Sequence, residues 1–322
     1  MNRTIIYKTF LLVACMGCTG NLPENNEAET ALQLSSVSIH EEGISKAIVA
    51  GTTVNTVNVY VAKTDNTVYD PTVPSLVFTN KSGNWTSDKS VVILDGTPAK
   101  VYGVYPDNIP ITDEGGSLKV SVEVLKGGGN TLDFQGTQQN DYLYSGEVDA
   151  SYQNRTISLA MKHAMAKVSF DIVKATNVTA PLVLKQVKIL SGTNLLQAGT
   201  GYMLLNGTTT GALNGLASTS KITLDNSVGI ELKTSHAGAN VTCLVAPMNT
   251  AESVLSFSLT VGEEGSSVNR TFLTSSISPA VKWVAGFHYV YKITVNKMSG
   301  DVEGVLIEDW RNDASQNTSV GI

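Results

Sequence analysis

Few residues in this chain carry chemistry of their own, and most of those stand apart. Four histidines (His40, His163, His236, His288) and three cysteines (Cys15, Cys18, Cys243) are the candidates for metal ligation or nucleophilic catalysis. Zinc sites draw on ligand pairs a few residues apart along the chain. No histidine here has a second His or a Cys two to four positions away. There is no G-x-S-x-G elbow, no Gly-rich loop ending in G-K-[S/T] and no H-E-x-x-H pair. Gly127, Gly128 and Gly129 precede no helix, so they read as a hairpin loop rather than a phosphate cradle. Asp309 beside Trp310 has the residue types of half a glycosidase pair, but a C-terminal turn or cap accounts for it as well. His163 lies on a strand-like segment and reads as a structural histidine. No enzyme activity, no metal site and no cofactor is expected.

The remaining chemistry is an address. Arg3 and Lys8 make a positive n-region, residues 9–14 (TFLLVA) a short apolar h-region, and Cys15 and Cys18 follow. This is a signal peptide, with the cysteines of a lipoprotein signal, which is cut just before a Cys that then carries lipid such as palmitate. Leu12, Val13, Ala14 and Cys15 fit a lipobox but leave a short h-region. Cys18 gives a better h-region but puts Cys15 where Leu is usual. The lipidation site is one of the two. A C-x-x-C redox or metal reading fails, because half of it would be lost with the signal. Residues 1–18 are therefore signal and lipobox. Residues 19–36, with Glu24, Glu27 and Glu29 in their polar first part, are a flexible tether. Cys243 shares a face with Val241 and Val245 and reads as a buried core thiol.

The elements that must position these residues are strands. Only 16% of residues are charged against 42% hydrophobic, with Thr, Ser, Asn and Gly in place of charge. That mix favours strands and turns. A net charge of −6 excludes the basic stripe that nucleic acid demands. The one long apolar run, at the N-terminus, falls short of the ~20 residues that a spanning helix needs. Val57, Val59 and Val61 alternate with Asn58 and Tyr60. So do Leu118, Val120, Val122 and Val124, then Leu255, Phe257, Leu259 and Val261, then Tyr289, Tyr291, Ile293 and Val295. Each is a half-buried strand, and Gly-rich turns separate them. Ile157, Leu159 and Met161 are apolar at odd positions, Val168, Phe170 and Ile172 at even ones. The parity flip across 162–167 demands a bulge or a change of sheet. It divides the body into two antiparallel β-sandwiches in tandem, 37–164 and 165–322.

Three segments resemble the fimbrillin family. Residues 157–170 (ISLAMKHAMAKVSF) resemble its mid-chain L-x-x-x-H-A-x-A-K-V-x-F strand. Residues 283–295 (WVAGFHYVYKITV) resemble its penultimate W-x-x-G-x-x-Y-x-Y-x-I-x-V strand, and residues 305–310 (VLIEDW) its closing I-x-D-W. The resemblance implies two transthyretin-like domains and a lipoprotein precursor bound for the outer membrane of Bacteroidetes-type bacteria. In such lipoproteins acidic residues after the lipid Cys resemble a surface-export signal. It further implies a fimbrial stalk, tip or anchor subunit, whose partners are other pilus subunits, the outer membrane through the lipid and a host or bacterial surface ligand. The resemblance also implies assembly by strand donation, in which stalk precursors lose an N-terminal strand to a trypsin-like protease. Here Leu32, Leu34, Val37 and Ile39 would form that strand. Lys46, the only Lys or Arg between the signal and Lys63, would be the processing site, although the family's cut follows Arg. Residues 302–310 make a better donor strand than the polar tail 311–322, and read equally as an ordinary closing strand. The alternative is a lipid-anchored, glycan-binding β-sandwich protein, which needs Trp85, Tyr142 and Tyr144 on one exposed platform; Tyr142 and Tyr144 share a face and read equally as core.

Overall fold

The computed structural model describes residues 31–39, 54–87, 91–125, 131–248, 255–264, 267–274, 276 and 281–296, and the backbone of 300–309 and 319–320. In chain order the strands are β1 (Gln33–Ile39), β2 (Thr56–Lys63), β3 (Ser75–Lys81), β4 (Asn84–Ser87), β5 (Ala99–Tyr105), β6 (Ile111–Glu114), β7 (Ser117–Val124), β8 (Thr131–Asp133), β9 (Leu143–Ala150), β10 (Thr156–His163) and β11 (Ala166–Lys174). They continue as β12 (Leu182–Ser191), β13 (Leu196–Leu204), β14 (Leu213–Asn214), β15 (Ala217–Thr219), β16 (Lys221–Glu231), β17 (Val241–Val245), β18 (Leu255–Glu263), β19 (Asn269–Leu273), β20 (Phe287–Val295), β21 (Gly300–Asp309) and β22 (Ser319–Val320). No helix occurs among the described residues. The protein is all-β, as its alternation and turn chemistry predict.

The first sheet has the order β1-β10-β9-β5-β2-β3-β4. One face buries Val57, Val59, Val61, Leu76, Phe78, Val101, Ile157, Leu159 and Met161 in a core of its own. Tyr60, Ala62, Tyr102 and Val104 point the other way and join a second, larger core. The alternation in β2 shows only the first of these faces. Its second face is built from Tyr, Asn and Ala and is covered all the same: Asn58 is buried and donates to the Ile109 carbonyl at 3.0 Å.

Three further sheets, β17-β11-β20-β21-β22, β19-β18-β12-β16-β8 and β14-β13-β7-β6, supply the larger core in sandwich fashion. Phe170, Phe257 and Tyr291 meet at its centre with centroids 4.7–5.6 Å apart, and Trp283 donates to the Tyr291 hydroxyl at 3.0 Å. The parity change at 162–167 is where the chain leaves the first sheet with β10 and enters another with β11, over the buried pair Ala164 and Met165. Hydrogen bonding also crosses between the two halves of the sequence. β7 pairs with β13, and β8 pairs with β16.

Candidate functional site

β1 is the terminal strand of the first sheet, and its registry explains an irregularity in its sequence. Leu32 and Leu34 are apolar at even positions, Val37 and Ile39 at odd ones. β1 runs parallel to β10 with a bulge between Leu34 and Ser36, so that Leu34, Val37 and Ile39 stand opposite Ile157, Leu159 and Met161. The extra residue, Ser35, absorbs the slip and keeps all three apolar side chains on the core face. Its hydroxyl donates to the Ile157 carbonyl at 2.8 Å and lies 2.8 Å from Ser158 Oγ. Ser36 donates to Ser158 Oγ at 3.0 Å. Leu32 and Leu34 are buried, while Val37 and Ile39 are half-buried. Val92 receives the Leu32 amide at 2.9 Å, and β4, at the sheet's other end, lies alongside β1. Without β1, a groove floored by Ile157, Leu159 and Met161 would run between β10 and β4.

A second strand carries the same phase. β21 pairs antiparallel with β20 and has its own bulge at Glu303, which places Val302, Val305 and Ile307 opposite Ile293, Tyr291 and Tyr289. In both strands an apolar residue, a bulged residue, a small residue and then V-x-I follow one another: Leu34-Ser35-Ser36-Val37-Ser38-Ile39 and Val302-Glu303-Gly304-Val305-Leu306-Ile307. Residues 302–309 thus form a paired strand in this structure; Trp310 lies outside the described residues.

The titratable residues are structural. His163 Nδ1 lies 3.1 Å and 2.9 Å from the two carboxylate oxygens of Asp141, with both side chains buried. His236 approaches Asp171 at 3.1 Å. His288 Nε2 and Thr242 Oγ1 each lie 2.8 Å from Ser169 Oγ. Ser169 is fully buried, so this hydroxyl–imidazole contact offers no substrate access. Cys243 is free and buried, and burial pushes its thiol up to about 12. No group of three or more potential metal ligands occurs among the described residues.

The three aromatics do not form a platform. Tyr142 is buried, and its hydroxyl accepts from the Glu123 amide at 2.8 Å. Trp85 packs against the first core and Tyr144 against the second. Cys15, Cys18, Lys46, His40 and residues 127–129 lie outside the described residues. The sequence reading missed Asp141, which reaches its histidine from 22 residues away, and the Ser35–Ser158 contact. For the latter the signal was present in the parity slip between Leu34 and Val37.

A fimbrillin-like family model matches residues 47–310. No curated protein sequence matches the chain. Among solved structures, a fimbrial protein from Bacteroides vulgatus superposes with a TM-score of 0.58 at 13% identity, covering 87% of this chain and 99% of that one. A candidate cell adhesion protein from Bacteroides uniformis gives 0.56 at 17% identity, covering 88% and 99%. Another from Bacteroides ovatus gives 0.56 at 13%, covering 88% and 98%. At these identities the superpositions establish a shared fold.

Proposed function

The chain belongs to the fimbrillin-like family, and on that premise we propose that it is exported as a lipoprotein precursor and built into a cell-surface pilus by β-strand donation. Membership makes it a pilus or adhesion subunit of the cell surface and not an enzyme. The finer reading is ours: lipid on Cys15 or Cys18 holds the precursor at the outer membrane. Cleavage after Lys46 releases β1, and a strand from a neighbouring subunit replaces it.

The observation that carries this reading is the registry of β1. A strand at the end of a sheet is held by one ladder and a few side chains. β1 precedes Lys46 in the chain, so a single cut frees it. Three apolar residues give about 1.5–3 kcal/mol each when fully buried, and less for the half-buried pair. Any replacement must supply three apolar groups in the same phase and offset the cost of ordering itself. β21 has that phase. In the resulting joint Gly304 of one subunit takes the place of Ser36, opposite Ser158 of the next.

Paired cysteines test this. A chain carrying Ser158→Cys and Gly304→Cys is expected to give disulfide-linked ladders from sheared filaments, and neither single variant should. Filaments that assemble from the double variant without ladders under oxidising conditions would rule out β21 as the donor.

A further inference from the structure

A groove of about 410 Å³ opens where the first sheet meets the larger sandwich. Tyr144 of β9 and Gln197 of β13 line it, as do residues 209–212 in the turn before β14, Leu213 at its start, Met248 after β17 and residues 282–285 ahead of β20. Its volume is in the range of small-ligand sites. The Tyr144 ring packs onto Gly211, where an added Cβ would overlap the ring and where φ is +83°. Glycine at 211 is therefore what lets the tyrosine sit there. Trp283 and Met248 are buried and give the groove an apolar floor.

The polar groups around that floor are uncommitted. The Tyr144 hydroxyl, the Gln197 amide and the Thr209 hydroxyl have no hydrogen-bond partner among the described residues. Burial raises the Tyr144 phenol, so at neutral pH it is a protonated donor. Lys282 is the single charged residue among the described lining, and no described carboxylate pairs with it. A mainly apolar, partly aromatic floor rimmed by neutral donors and acceptors suits a sugar ring, which has an apolar C–H face and a hydroxyl edge. An ammonium with no carboxylate partner among the described residues adds a local preference for an anionic group.

We infer that this groove is a binding subsite for an acidic saccharide residue, with the half-buried Tyr144 against the ring, Gln197 and Thr209 at its hydroxyls and Lys282 at its carboxylate. The subsite is independent of strand exchange, since none of its residues belongs to β1, β10 or β21.

The probe is a glucuronate-terminated disaccharide, titrated into the full mature chain by calorimetry with saturation-transfer NMR as a second readout. Binding is expected, weakened about tenfold or more by Lys282→Ala and by Gln197→Ala. The matching glucose-terminated disaccharide should also bind about tenfold more weakly. Tyr144→Phe should weaken binding while leaving the thermal midpoint near that of the parent. If that variant misfolds, the Lys282 and Gln197 variants, both at the groove's surface, decide. Absence of binding to the acidic disaccharide, equal binding of the neutral one, or affinity untouched by Lys282→Ala and Gln197→Ala overturns the inference.

Discussion

At the scale of single residues, burial decides which chemistry is open: the Cys243 thiol and the Ser169 hydroxyl are both enclosed away from solvent. Cys243 was legible as a core thiol because Val241 and Val245 flank it on one face, and it is fully buried. Desolvation disfavours the thiolate and lifts the thiol from 9.0 to about 12. The folded form is therefore expected to resist iodoacetamide at pH 8, with labelling only in denaturant; rapid labelling of the native protein would contradict the burial. A folded pKa above the unfolded one contributes stability in full below pH 9, and that contribution is lost as pH rises toward 12. His163 was legible as structural, but Asp141 was not, because strand pairing brings it close and no local spacing announces it. The shared face of Tyr142 and Tyr144 allowed a core reading, and the fold packs both against the larger core and Trp85 against the other.

At the scale of elements, alternation predicted the strands whose two faces differ and under-read those buried on both. β7 is buried at Leu118, Val120, Val122 and Val124, as its period of two requires. β2 is buried at Asn58 and Tyr60 as well, because sheets cover both its faces. The slip in β1 marks a bulge, and that bulge makes β1 and β21 alike. One glycine lies beneath the seat of β1. A Cβ at Gly103 would lie 2.7 Å from Leu159 Cδ1 and 3.3 Å from Met161 Sδ, the side chains opposite Val37 and Ile39. Gly103→Ala is therefore expected to push them toward β1 and to destabilise the fold by about 1–3 kcal/mol. The first amides to lose hydrogen-exchange protection should be those of 33–39. Loss of protection spread evenly over the first sheet would speak against a separately releasable strand.

At the scale of the whole molecule, composition and turn spacing sufficed for an all-β, sandwich-type protein, and three motifs for its family. Pairing between distant strands was not legible. β7 joins β13 and β8 joins β16 because the larger core needs covering, and nothing in either strand's own sequence names its partner. A subunit built for exchange must exist in two forms, a precursor with β1 in place and a filament form without it. Mass spectrometry of the N-terminal peptide, in sheared surface filaments and in the membrane fraction, distinguishes them. The account predicts filament subunits that begin at Ala47, alongside a membrane-held precursor that begins at lipidated Cys15 or Cys18. Filament subunits that retain residues 33–39, or a single lipidated form confined to the membrane, would contradict it.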